Sequence, residues 1–106
     1  MPSSQSSGEI PELVESMEWL RDNIPNDSGW RYTWAEIADG MTEMGFPITR
    51  SGIHHLATGR TKIPSAATIY GLTRFFGVPA DFFFNPDTRV QVRETRELLG
   101  RMRTDD

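Results

Sequence analysis

Ile48-Thr49-Arg50-Ser51-Gly52-Ile53-His54-His55-Leu56-Ala57-Thr58-Gly59-Arg60 is the stretch on which the reading of this chain turns. At helical spacing, Ile53, Leu56 and Ala57 share one face. Arg50, Ser51, His54, His55 and Thr58 fall on the flank and the opposite face. A short helix with an apolar back and a basic, hydrogen-bonding front has the chemistry that contact with DNA base edges requires. The stretch also lies in a window, between Met44 and Ala80, that contains no acidic residue.

The whole chain of 106 residues has a formal net charge of −4, which on its own speaks against nucleic acid. The distribution of that charge reverses the inference. Residues 1–44 hold nine acids against Arg21 and Arg31, whereas the window holds Arg50, Arg60, Lys62 and Arg74. Residues 81–106 are mixed, six acids against five arginines. Salt screens fields beyond about 8–10 Å, so DNA responds to the face that docks and not to the total.

The length suits one domain with a modest core. Absence of cysteine excludes disulfides, thiolate zinc sites and cysteine nucleophiles. No apolar run approaches the roughly 20 residues that span a bilayer. The start, Met1 to Gly8, lacks the basic and apolar regions of a signal peptide. A cytoplasmic protein is expected, with residues 1–9 a disordered tail.

No run alternates with period two, and the helical punctuation is clear, so the expected class is all-α. Helix one is expected over Pro11 to about Asn23, with Leu13, Met17 and Leu20 inward. Ile24 to Gly29 reads as a stop and a loop. Helix two opens with a capping box, Thr33 to Glu36, and its stripe is Trp34, Ile37, Ala38 and Met41. Gly45-Phe46-Pro47 breaks it. Helix three spans about 49–58, capped near Thr49, with Gly59 in the left-handed position past its end. After the basic loop Arg60-Thr61-Lys62-Ile63-Pro64, Ser65 caps helix four. Its Ile69, Leu72, Phe75 and Phe76 face the core, and Gly77 terminates it. Val78 to Phe84 reads as a short fifth helix ended by Asn85-Pro86. A last helix, about Thr88 to Met102, carries the weaker stripe Val92, Thr95, Leu99 and Met102.

In this order the elements resemble the XRE, or lambda-repressor-type, helix-turn-helix family. The residues that carry the resemblance are helix two, the Gly-containing turn, helix three ending in Gly59-Arg60, the capped helix four, and Phe75-Phe76-Gly77-Val78-Pro79 with Asp81 and Phe82-Phe83-Phe84 behind it. More narrowly, Trp30 to Phe84 is similar to EspR-like actinobacterial nucleoid-associated regulators. The resemblance implies a compact five-helix lambda-repressor-like domain over 10–86. It leaves 87–106 as a C-terminal helix and possible dimerisation element. It further implies a DNA-binding transcriptional regulator of the bacterial nucleoid that acts on double-stranded DNA as a homodimer. Carried over position by position, Arg50, Ser51 and His55 would read bases. Thr49, Thr58, Arg60 and Lys62 would hold the phosphate backbone, and Gly52 would let the helix approach closely.

The residues support the same assignment independently, each against a blander alternative. Arg50 at the start of helix three suits a bidentate contact with guanine O6 and N7, worth ~1–3 kcal/mol of discrimination. Its alternative is a solvated arginine or a salt bridge to Glu43. His54 is placed with the backbone contacts and His55 with the base contacts. Adjacent helical positions point about 100° apart, so the two cannot grip one metal as an i, i+4 pair does. The helix N-termini at Thr33 and Ser65 are natural phosphate sites. Trp19, Trp34 and Phe82 to Phe84 read as core, while Trp30 and Tyr32 fit either packing or a rest against the sugar–phosphate backbone.

A protein–protein module, such as an antitoxin or an adaptor, remains the alternative function. No phosphate-cradling glycine loop, nucleophile motif or metal spacing points to an enzyme, a metal or a cofactor. Imidazole ordinarily titrates near pH 6.5, so two histidines on the docking face predict that DNA affinity rises modestly between pH 8 and pH 6. Equal affinity at the two values in a binding titration would remove both histidines from the interface.

Overall fold

Three hydroxyl side chains decide where helices start in this chain. Thr33 Oγ1 accepts from the Glu36 N–H at 3.0 Å, and the Glu36 carboxylate accepts from the Thr33 N–H at 2.8 Å. This reciprocal capping box opens α2 (Trp34–Glu43). Thr49 accepts from the Gly52 N–H at 2.8 Å and opens α3 (Arg50–Ala57). Ser65 accepts from the Thr68 N–H at 3.1 Å and opens α4 (Ala66–Phe76). The remaining helices are α1 (Leu13–Asn23) and α5 (Pro86–Thr104). The computed structural model describes residues 10–104. The tail expected to be disordered, residues 1–9, lies outside them. No strand occurs among the described residues, and the protein is all-α as its periodicity implies.

Glycines close α2, α3 and α4. Gly45, Gly59 and Gly77 have φ of 96°, 82° and 72°. At the end of α2 the Phe46 N–H reaches the Met41 carbonyl at 2.9 Å and the Gly45 N–H reaches Thr42 at 3.1 Å. The end of α3 repeats this pattern, Arg60 N–H to His55 O at 2.8 Å and Gly59 N–H to Leu56 O at 3.2 Å. Each pair satisfies carbonyls that a helix end otherwise leaves without partners. Thr42 pins the intervening turn, since its hydroxyl donates to the Ala38 carbonyl at 2.9 Å and accepts from the Ile48 N–H at 3.3 Å.

Three boundaries differ from the sequence expectation. Helix one starts at Leu13 and not at Pro11, because Glu12 sits at φ 59° with no side-chain cap. A left-handed residue cannot continue a right-handed helix, so Pro11 stays in the preceding turn. The expected short helix at Val78 to Phe84 is a run of turns, Phe82 N–H to Pro79 O at 3.0 Å and Phe84 N–H to Asp81 O at 2.9 Å. Both bonds span three residues, where an α-helix runs on bonds that span four, and the neighbours Phe82 and Phe83 are both buried. Asn85-Pro86 begins a helix instead of ending one. Pro86 occupies the first turn of α5, where its missing N–H costs nothing, and Asn85 Oδ1 accepts from the Asp87 N–H at 3.0 Å.

Leu13, Met17 and Leu20 of α1, Ile37, Ala38 and Met41 of α2, and Ile53, Leu56 and Ala57 of α3 meet in one core. Ile69, Leu72 and Phe76 of α4 complete it with Phe82 and Phe83. Trp34 and Phe75, both expected inward, are half-buried at its edge. Arg21 stacks on Trp34 at 4.6 Å and Tyr32 meets Phe75 edge-on at 5.0 Å. Trp19 is likewise half-buried, 6.1 Å from Phe82, while Phe84 is exposed and lies outside the core. Arg89 anchors the start of α5 by donating to the Phe82 carbonyl at 3.1 Å. Past Val92 that helix still lies beside the body, with the Arg93 guanidinium 5.7 Å from the Trp19 ring, while Leu98, Leu99 and Met102 are exposed. The described residues extend 52 × 33 × 21 Å.

The α2–α4 contact depends on Gly71, where a built Cβ would lie 2.7 Å from Phe46 Cβ and 3.0 Å from Met41 Cε. Gly71→Ala is therefore expected to destabilise the fold by about 1–3 kcal/mol through overpacking. Gly100→Ala, where a Cβ meets nothing within 4 Å, should be neutral or add up to about 1 kcal/mol of helix stability. Urea denaturation of the two variants checks the contrast.

Candidate nucleic-acid interface

An eight-residue helix is too short to hold itself in water, so α3 exists because its apolar stripe is buried. Ile53, Leu56 and Ala57 are inside the core. The same rotation forces the intervening residues outward: Arg50, Ser51, His54 and Thr58 are exposed, and His55 is half-buried on the flank. α3 follows α2 through the turn that Thr42 pins, and the two helices pack together. The polar face is therefore rigidly presented.

Arg50 is the first residue of α3 and has its side chain 69% exposed. Its guanidinium donates from Nη2 to Asp39 Oδ2 at 2.8 Å and from Nε to Oδ1 at 3.4 Å. A salt-bridge partner for Arg50 was foreseeable from sequence, but it is Asp39 of α2 and not Glu43. Asp39 lies on α2 next to the buried Ala38, and its carboxylate reaches the first residue of α3. No sequence pattern reveals this; the packing of the two helices does. The Arg50 hydrogen bond, with its positive charge, holds the Asp39 carboxyl below the ordinary carboxylate range. In return Asp39 raises the Arg50 guanidinium further, so both stay ionised at neutral pH.

The expected backbone-contacting hydroxyls have internal duties. Thr33, Thr49 and Ser65 are the N-caps of α2, α3 and α4, each accepting a backbone N–H. Ser65 also donates to Thr68 Oγ1 at 2.9 Å, and Thr58 donates to the His54 carbonyl at 2.9 Å. Phosphate oxygens accept hydrogen bonds only, so Ser65 and Thr58 have no proton to offer in this arrangement. Arg60 and Lys62 sit in the loop that leaves α3. That loop is folded back by the Arg60 and Thr61 N–H groups, which both donate to the His55 carbonyl at 2.8 and 3.1 Å. Both cations are thus tied to the C-terminal end of the helix that Arg50 begins. The fourth cation of the window, Arg74, lies on α4 over the ring of Tyr70, 5.9 Å away.

Trp30 and Tyr32, left open by sequence, separate. Tyr32 packs edge-on against Phe75 and Phe76. Trp30 is 73% exposed at the closing end of a built loop, where Asn26 Oδ1 accepts from the Ser28 and Trp30 N–H groups and the Asn26 N–H donates to the Trp30 carbonyl at 2.7 Å. No group of three or more His, Cys, Asp or Glu side chains placed to hold a metal ion occurs among the described residues. Nor is any helix among them long and apolar enough to cross a membrane. No protein-family model matches the chain, and no curated protein resembles it significantly in sequence.

The lowered Asp39 carboxyl has a sign that can be tested. Its folded value lies below the unfolded one, so the small stabilisation from the pair is complete above the ordinary carboxylate range and is lost as pH falls through the lowered value. In an NMR pH titration, Asp39 should titrate below the ~3.9 of a model aspartate, and Arg50→Ala should return it upward. An unchanged Asp39 titration in that variant would show that the two side chains do not pair in solution.

Proposed function

We propose that the protein is a sequence-specific DNA-binding transcriptional regulator that inserts α3 into the major groove. The observation that carries the proposal is the outward face of α3. Arg50 stands at its first residue, Ser51 and His54 are exposed beside it, and a stripe buried in the core supports it from behind. In this reading Arg50, Ser51 and His55 contact base edges. Arg60, Lys62, His54 and the free N–H groups at the N-termini of α2, α3 and α4 hold phosphates. The helix order, with its capped starts and glycine ends, supports placing the chain with the XRE, lambda-repressor-type helix-turn-helix proteins.

The same reading makes the protein a homodimer through α5. Leu98, Leu99 and Met102 are exposed along its outer part. Leu99 borders two grooves of about 330 and 350 Å³, one beside Val78 and one beside Trp19. A second copy of α5 would cover these apolar residues and set two α3 helices one helical turn of DNA apart, about 34 Å. The exposed Trp30 favours the second reading, a protein–protein module such as an antitoxin or adaptor, since an exposed tryptophan is a common anchor at protein interfaces.

Mobility-shift titration against genomic fragments at two salt concentrations separates the two. DNA binding that weakens steeply with salt is expected. Arg50→Ala should relax sequence preference, costing ~1–3 kcal/mol at one base pair, whereas Lys62→Ala should weaken all duplexes about equally. Absence of binding, or binding indifferent to salt, would reject the regulator.

A further inference from the structure

Arg50 does not stand alone on the outward face of α3. Asp39, from the preceding helix, grips the side of its guanidinium at Nε and Nη2, with distances of 3.4 and 2.8 Å. A guanidinium carries five N–H donors in a rigid planar fork. Asp39 engages one on Nε and one on Nη2. What remains is the end-on edge, one N–H on Nη2 and those on Nη1, on the side away from the carboxylate. A parallel pair of donors on that edge is what guanine O6 and N7 accept.

We infer that Asp39 is a specificity-determining positioning residue, which fixes the Arg50 guanidinium so that its free edge addresses a guanine. The inference rests on the proposed DNA-binding reading and adds to it an acidic residue on a docking face that charge alone would leave bare. Two physical effects follow from the geometry. An arginine side chain has many rotamers, and the two-point grip removes most of them before DNA arrives, so fewer are lost on forming the base contact. Asp39 also places a carboxylate, 51% exposed, beside the phosphates and their negative field. It therefore works against binding to any duplex and in favour of binding to the one that supplies a guanine to Arg50. Its partner charges are in order for this: the pair remains ionised over the range where DNA binding is measured.

The test uses the full chain and a duplex obtained by selection of bound sequences, with the preferred guanine replaced in a second duplex. Asp39→Ala should lower the ratio of the two affinities by about five- to tenfold, part of what a complete bidentate contact contributes. Affinity for the substituted duplex should hold or rise, because a negative charge has left the interface. Asp39→Asn, which still accepts a hydrogen bond, should fall between wild type and Asp39→Ala. In an Arg50→Ala background, Asp39→Ala should leave the ratio unchanged, a result that a merely structural role would not give. A ratio unaltered by Asp39→Ala, or altered equally with and without Arg50, overturns the inference while leaving the regulator intact. If wild type binds no duplex at all, the functional proposal itself fails first. Thermal melts confirm that each variant is folded, as expected for an exposed position.

Discussion

Burial of Ile53, Leu56 and Ala57 is the constraint on which the rest of the molecule depends. α3 has eight residues, well short of the ~12–15 at which isolated helices become even marginal in water. It is helical because α1 and α2 cover its back. That cover fixes its rotation, and the rotation in turn decides which side chains meet solvent. Arg50, Ser51 and His54 are outward because Ile53 and Leu56 cannot be. Stability of the core and composition of the candidate interface are thus one fact about a helix, viewed from its two sides.

The ends of α3 are fixed as firmly as its back. Thr49 caps one end, and the paired hydrogen bonds to His55 and Leu56 around Gly59 close the other. These local devices have a consequence at longer range. The cap places Arg50 at the first turn, and the closing motif brings Arg60 and Lys62 into the loop directly after the last. A rigid helix flanked at both ends by cations is suited to two kinds of contact at once, one that reads and one that holds. The hydroxyls that secure the helices are correspondingly committed, and the protons of Ser65 and Thr58 in particular are already used inside the protein.

Much of this was legible in the chain. The capping box at Thr33 and Glu36, the caps at Thr49 and Ser65, and the glycines at 45, 59 and 77 are chemically determined by neighbours within a few residues. So are the inward stripes of α1 to α4, with Trp34 and Phe75 displaced to the edge. Less legible were the segments where local signals compete. Pro11 reads as a helical first residue until the left-handed Glu12 intervenes, and Pro86 reads as a stop although it serves equally well as a start. Phe82 and Phe83 look like a helical aromatic cluster, yet the backbone that carries them closes three-residue turns, Phe82 N–H to Pro79 O and Phe84 N–H to Asp81 O, in place of a helical ladder.

The candidate site divides along the same line. Arg50, Ser51, His54, His55, Arg60 and Lys62 come from one continuous segment, whose periodicity assigned the first four to the polar side of a helix and whose glycine put the last two in the loop behind it. Asp39 is eleven positions from Arg50 on a different helix, and only the angle and register of α2 against α3 place its carboxylate at the guanidinium. The outer part of α5 is similar: its sequence gives an amphipathic stripe, while the tertiary structure decides that Val92 packs on the body and Leu98, Leu99 and Met102 do not. Helical periodicity, caps and breakers act over three to five residues, so the chain alone determined the caps and stripes of α2, α3 and α4 and with them the polar face of α3. Which charges from separate helices meet, and which apolar residues remain uncovered, depends on contacts between distant segments, and that the tertiary structure alone decided.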